Sequence, residues 1–412
     1  MSDQFAAFRH VSYQRYFGSR FLTAFAVQIV SVAVAWQIYD QTQNAALLGW
    51  IGLVQFLPAL LLVVITGLAA DKLGRRMVMG LSILLLGTCA ATILVMALTD
   101  NFRPLWVLSV LTVFGVARAF LSPASASLAV NIVPREDFAN AIGWITSSWQ
   151  LASILGPAAG GLLYGLSAIT AYTCAAIIFV CSAILIFSIP KPAQAVDKEP
   201  TTMKTLLGGF RYVWTQKIVL GAITLDLFAV LLGGAVALLP IYARDILELG
   251  PTGLGMLRAA PGIGAVIMII FLTRFPIKDH AGIILFITVA MFGLATAVFG
   301  VSTLAWVSIV ALMLIGAFDM ISVYIREILL QLWTPDEVRG RVNAVNSIFL
   351  GASNELGEAR AGFMAAKWGA IFTVVSGGIA AVGVSAICAG LFTALRKARY
   401  LDHSDEDDHS ES

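Results

Sequence analysis

Long apolar runs broken by short polar punctuation dominate the chain. Read between charges, prolines and glycines, the runs cover residues 16–39, 46–70, 77–97, 104–127, 139–163, 167–189, 217–243, 251–273, 281–301, 304–327, 341–365 and 370–395. Each approaches or exceeds the roughly 20 residues that a helix needs to cross a hydrocarbon core. A segment inside lipid must satisfy its own backbone, so runs of this length predict helices. The longest polar interruption, Pro190 to Lys217, divides six runs from six. The predicted fold class is an all-α polytopic membrane protein with 12 transmembrane helices in two pseudo-symmetric six-helix bundles. The expected domains are 1–189, an N-terminal bundle; 190–216, a cytoplasmic linker; 217–395, a C-terminal bundle; and 396–412, a cytoplasmic disordered tail.

The two halves repeat. Phe8-Arg9-His10-Val11 returns as Phe210-Arg211-Tyr212-Val213, 202 residues later, and Pro58 returns as Pro261 at 203. Pro134, Glu136, Leu155, Gly156, Ala158 and Gly161 return as Pro335, Glu337, Leu356, Gly357, Ala359 and Gly362, all at an offset of 201. Matches in order at one offset indicate duplication. Two even-numbered halves joined by a linker place a site at their interface, near mid-membrane.

Composition agrees with the pattern. Of 412 residues 59% are hydrophobic, the mean hydropathy is +0.88, and only 12% are charged. That is about half the charged share of a soluble domain, which excludes a soluble enzyme and a nucleic-acid binder. The net charge of +2 conceals a segregation, because Asp402 to Ser412 carry six acids and no Lys or Arg. With the N-terminus inside, eighteen Lys and Arg fall on the cytoplasmic side and only Arg103, Arg244 and Lys367 on the other. The bias places both termini in the cytoplasm, and the expected location is a bacterial-type inner membrane. The first fifteen residues are polar, unlike a cleavable signal. The cysteines (Cys89, Cys174, Cys181, Cys388) lie in apolar runs without CxxC spacing and read as packing residues.

Five basic residues remain within or beside the runs: Arg20, Arg118, Arg258, Arg326 and Arg360. The acids there are Asp226, Asp319, Glu327, Glu355 and Glu358. A charge at the bilayer centre costs at least about 2.5–3.5 kcal/mol, so these side chains should face water, a partner or a cavity. Runs 3, 6, 9 and 12 contain none of them, so every third helix reads as lipid-facing. Arg326 and Glu327, at a cytoplasmic run end, read as snorkelling to the interface, as does Arg20. For the deeper set two readings stand: structural ion pairs, or a proton or substrate site. Glu355 and Glu358 are three apart and share a helix face. All four histidines lie outside the runs, so a proton relay must use carboxylates: Glu355, Glu358, Asp226 or Asp319. Arg118 and Arg258 are candidates for holding anionic substrate groups, with Arg20 and Arg360 beside them. Trp36, Gln37, Tyr39 and Gln55 could supply aromatic and amide contacts, or simply pack.

Run 5 contains Gly156-Pro157-Ala158-Ala159-Gly160-Gly161, a spacing that lets a second helix approach closely while Pro157 bends the rod. No GxxxxGK[ST] is present, so no ATP machinery and no cofactor is expected, and energy should come from an ion or substrate gradient.

Gly67-Leu-Ala-Ala-Asp71-Lys72-Leu-Gly74-Arg75-Arg76 resembles the signature loop of the major facilitator superfamily. The resemblance implies a tight turn at the glycine and interdomain charge contacts by Asp71, Arg75 and Arg76 that break during rocking. The corresponding loop Thr273–His280 has lost the pattern. The GPAAGG run is similar to the motif of drug–proton antiporters, which implies export; Arg118 is similar to their membrane arginine, though the glycine pattern usual after it is absent. Phe8-Arg9-His10, Trp36-Gln37-Ile-Tyr39-Asp40, Arg339-Gly-Arg341-Val-Asn343-Ala-Val-Asn346 and Ser353-Asn354-Glu355-Leu-Gly357-Glu358 resemble an enterobactin-exporter-like subgroup. This brings Asn346 and Asn354 in as cavity candidates.

The expected function is a proton-coupled exporter, acting as a monomer, that moves a small amphipathic compound such as a siderophore or drug by alternating access. The alternative is an uncoupled or uptake facilitator, or a lipid flippase, of the same fold.

Overall fold

The computed structural model describes residues 4–191, 203–277 and 279–397. Residues 398–412 of the expected tail, residues 192–202 of the expected linker and Lys278 lie outside the described residues. Within them the chain is helical, with no strand.

The helices are α1 (Val11–Thr42), α2 (Ala45–Leu73), α3 (Arg75–Leu98), α4 (Pro104–Ile132), α5 (Phe138–Leu166), α6 (Ala168–Phe187), α7 (Met203–Thr215), α8 (Lys217–Gly233), α9 (Leu239–Ile241), α10 (Gly250–Arg274), α11 (Ala281–Val301), α12 (Ala305–Leu332), α13 (Asp336–Trp368), α14 (Ala370–Leu391) and α15 (Thr393–Lys397). Ten stretches among the described residues are long and apolar enough to cross a membrane, α8 being continued to Ile246. The other two expected spans are α5 and α13, which have 29 and 33 residues, well above the roughly 20 required. They carry more polar residues, and the duplication relates one to the other.

Local chemistry sets the boundaries. Pro104 opens α4, where its missing N–H costs nothing. The Ser167 hydroxyl caps α6 by accepting from the Thr170 N–H at 2.9 Å. One residue, Gly74, joins α2 to α3 at φ +92, which is glycine territory. The turn glycine of the signature loop is therefore Gly74. Gly67 lies inside α2, and its surroundings, like the Asp71 side chain, are outside what is described.

The helix of run 7 is not continuous. It stops at Gly233-Gly234, where Gly234 is extended (φ −61, ψ 117), and resumes as short irregular turns through α9.

The chain packs as two compact units. The first holds α1, α2 from Leu53, α3 to α6, and Leu249–Ala259, the start of α10. The second holds Asn44–Gly52, α7 to α9, the rest of α10, and α11 to α14. Against the expected 1–189 and 217–395, these units exchange two helix starts, Asn44–Gly52 and Leu249–Ala259, and α7, within the expected linker, falls in the second unit. Within the first unit α1 packs on α5 and α6, and α3 on α4 and α6. Within the second, α11 packs on α12 and α14, and α8 on α13 and α14. The helices of the charge-free runs pair, α3 with α6 and α11 with α14, and expose Leu81, Leu84, Ile177, Ile184, Ile287 and Ile379, apolar surface suited to lipid.

Small residues sit where helices approach closely. A Cβ at Gly156 would lie 2.6 Å from Gln28 of α1, and one at Gly161 would lie 2.6 Å from the Pro251 carbonyl and 2.9 Å from Gly255 of α10. At the repeated position Gly357, a Cβ would meet Val230 and Leu231 of α8 at 3.0 and 3.2 Å. Gly362 likewise approaches Gly49 of α2. The cysteines are all free, with Cys89 and Cys388 buried and Cys181 exposed.

Candidate functional site

The deepest charges lie in the second unit. Asp226 on α8 falls between Leu225 and Ala229, and Arg326 on α12 between Ile325 and Leu329; these four apolar residues belong to one core cluster. Asp226 is 6% exposed and Arg326 2%, and the two form an ion pair. An unpaired charge at such a depth is strongly destabilising, so each side chain requires the other. Arg326 does not snorkel, contrary to the sequence expectation. Its side chain turns into the bundle because α8 presents a carboxylate there. Glu327 does not snorkel freely either: it accepts from the Asn346 amide at 3.3 Å.

Asp319 lies seven residues before Arg326, two turns away on the same face of α12. It is half-buried and interacts electrostatically with both Asp226 and Arg326. Asp226, Asp319, Ser322, Phe318, Val289 and Phe292 line a cavity with room for about one water molecule. Two carboxylates and one guanidinium leave this cluster one positive charge short of neutrality.

The first unit shows the reverse balance. Arg20 does not run to the membrane surface; it donates to the Ser125 hydroxyl of α4. Tyr16 donates to the Ser125 carbonyl at 2.9 Å. Arg118 is exposed and donates to the Gln55 amide oxygen at 3.2 Å. Arg258, expected within the C-terminal bundle, is half-buried in the first unit and donates to Ser31 of α1 at 2.7 Å. That placement follows from the exchanged start of α10.

Other candidates serve packing. Gln37 is buried and accepts from the Tyr172 hydroxyl at 2.7 Å, tying α1 to α6 instead of facing a cavity. Trp36 and Tyr39 are buried beside it. Asn354 is exposed and donates to the Leu350 carbonyl of its own helix at 2.9 Å. Arg360 donates to the Leu231 carbonyl at 2.9 Å and to that of Leu232. These carbonyls lie at the C-terminal end of α8, where the helical pattern stops, and carbonyls at membrane depth need donors. Arg360 therefore acts as a cap on the break, a role the sequence did not reveal. Glu355 and Glu358 are half-buried on α13, where Gly52 of α2 leaves room for the Glu355 carboxylate, 3.2 Å from where a Cβ would stand. Neither lines the Asp226–Asp319 cavity. Arg75 donates to the Ser127 carbonyl at 3.2 Å and to Asn131 at 3.0 Å, and Arg76 to the Ile189 carbonyl, so both bind helices of their own unit.

The sequence profile of the Major Facilitator Superfamily matches residues 16–353. The chain belongs to that superfamily. Among its relatives is the enterobactin exporter EntS of Escherichia coli K12, 24% identical over 406 residues, which cover 95% of this chain and 94% of the relative. EntS of Shigella boydii serotype 4 is 25% identical over 380 residues, covering 89% and 87%. Solved structures share the fold. A bacterial homologue of the human lysosomal transporter Spinster, inward-facing and occupied, superposes with a TM-score of 0.73 at 13% identity, covering 96% of this chain and 97% of the other. A D-xylose–proton symporter gives 0.70 at 12% identity, covering 92% and 97%. The chain is thus a multi-pass membrane transporter of this superfamily.

Proposed function

We propose that the protein is a proton-coupled exporter of a small amphipathic compound, of siderophore or drug type, working by alternating access between two six-helix bundles, residues 1–189 and 217–395. It acts as a monomer in a bacterial inner membrane with both termini cytoplasmic, and it needs no bound cofactor. The supporting observation is the acid-rich cluster of Asp226, Asp319 and Arg326, buried in an apolar core. Embedded ionisable groups of this kind are costly, and they mark ion or proton pathways. The enterobactin exporters among the relatives support the direction and the substrate class.

The test is reconstitution into liposomes with an imposed pH gradient and enterobactin as probe. Enterobactin-dependent proton flux is expected. Enterobactin movement without proton flux leaves the uncoupled facilitator, and no movement of enterobactin removes the siderophore reading. Glu355→Gln, Glu358→Gln and Asp319→Asn sharpen the outcome, since a facilitator tolerates all three, whereas a coupled exporter loses proton flux in at least one.

A further inference from the structure

The four acids named above are not equivalent, and the geometry separates them. Asp226 is buried and committed to Arg326. Asp319 is less buried, on the same cavity, two turns from the shared guanidinium. We propose that Asp319 takes up and releases the coupling proton, while Asp226 stays committed to its ion pair with Arg326. This assignment rests on the proton-coupled reading above and narrows it to one residue.

Charge counting carries the argument. With both acids ionised the cluster is −1 in an apolar core. One proton, arriving from water and forming an O–H bond on an Asp319 carboxyl oxygen, brings it to zero; breaking that bond returns the proton to water. No electron moves. The neighbouring elements offer no competing group: α10, whose Pro261 carbonyl meets Gly316 of α12, has no Asp, Glu, Lys, Arg or His between 260 and 273, and Glu327 of α12 is engaged with Asn346 of α13. α11, which supplies Val289 and Phe292, has no Asp, Glu, Lys, Arg or His between 281 and 301. The same holds for α14 between 370 and 391. From α8 the facing ionisable group is Asp226, and α12 contributes Asp319 and Arg326. On α13, which packs against α8, Arg360 is engaged with α8 carbonyls, and Glu355 stands beside Gly52 of α2. Ser322, buried in the cavity lining three residues after Asp319, supplies a hydroxyl, and the cavity has room for about one water molecule beside the carboxyl. A cluster that is neutral in one protonation state and charged in the other has different burial costs in the two. Proton binding therefore biases whichever arrangement withdraws Asp319 from water.

The experiment needs no substrate. Infrared difference spectra of the purified full-length protein, recorded from about pH 8 to about pH 5, report protonated carboxyl groups directly. The wild type is expected to show one such band that Asp319→Asn abolishes and that Glu355→Gln and Glu358→Gln leave in place. Asp226→Asn should also abolish it, because Arg326 then pairs with Asp319. The double variant Asp226→Asn/Arg326→Gln should restore it. Asp319→Glu, which resupplies a carboxyl, separates loss of the proton from misfolding, and gel filtration of every variant checks the fold. A band that survives Asp319→Asn, or a wild type with no band that any of these variants removes, overturns the assignment. A band at Asp319 without enterobactin-dependent proton flux in liposomes would instead sink the exporter reading and leave the protonation site standing.

Discussion

The glycine at position 161 gives a test of how the first unit is held together. Gly161→Ala adds one methyl group on the face of α5 that meets the start of α10. That carbon would stand 2.6 Å from the Pro251 carbonyl oxygen and 2.9 Å from the Gly255 N and Cα. All three are backbone atoms and cannot rotate away. Ordinary contacts begin at 3.4 Å, so the two helices must separate by roughly 0.5–1 Å along the line of contact, and close packing of this kind is what holds membrane helices together. Overpacking a tight site costs about 1–3 kcal/mol. Gly143 of the same helix is the control, because a Cβ there meets nothing within 4 Å. Gly143→Ala should be neutral or stabilising, by up to about 1 kcal/mol from helix propensity. The assay is the thermal-denaturation midpoint of both variants in one detergent at one scan rate. Gly161→Ala should fall below wild type and Gly143→Ala should not. A Gly161→Ala midpoint at or above that of Gly143→Ala would refute the close α5–α10 contact.

Removing one partner of the buried pair should be costly: Arg326→Ala strands Asp226 and should destabilise by about 3–5 kcal/mol, whereas exposed Arg118→Ala stays within about 0.5 kcal/mol, both read as the folded fraction on size exclusion. Tyr172→Phe leaves the buried Gln37 amide oxygen without its donor, a loss of about 1–3 kcal/mol measurable as a lowered denaturation midpoint. Arg360→Gln removes the guanidinium that serves two carbonyls at the end of α8, so hydrogen exchange should accelerate several-fold at residues 233–238 and stay unchanged in α3.

The helix content and approximate boundaries were legible because each apolar run must satisfy its own backbone in lipid, and the glycine spacing of run 5 was legible as a place where helices can meet closely. The side-chain pairing was not legible. Arg326 read as a snorkelling end because the sequence shows where a residue lies along a run but not which way its side chain turns. Its partner Asp226 is 100 positions away, on a helix whose rotation only packing fixes. The same blindness hid the break of α8. Gly233-Gly234 was visible, but glycine is common in membrane helices, and it is the extended backbone at Gly234 and the Arg360 bonds to the Leu231 and Leu232 carbonyls that show the chain uses the pair as an interruption.

The duplication offset relates the two polar clusters. Ser125 and Arg326 are 201 apart, as are Arg118 and Asp319, the same spacing as the Pro134–Pro335 and Gly161–Gly362 matches. Each half therefore uses the same position on its fourth helix to link to its first: Ser125 receives Arg20 of α1, and Arg326 meets Asp226 of α8. The charges are inverted. In the first half the guanidinium comes from the first helix, and a second arginine occupies the position of Asp319. In the second half the guanidinium comes from the fourth helix, and both other members are acids. Duplication alone would copy the charges along with the glycines. The glycines persist because backbone contact allows no substitute, whereas a polar link between two helices is satisfied by several residue pairs. The halves were therefore free to diverge in charge without losing the packing. The divergence makes the first half's cluster basic and leaves the second with one carboxylate more than its arginine neutralises. Of the two acids in the second cluster, Asp319 is the less buried.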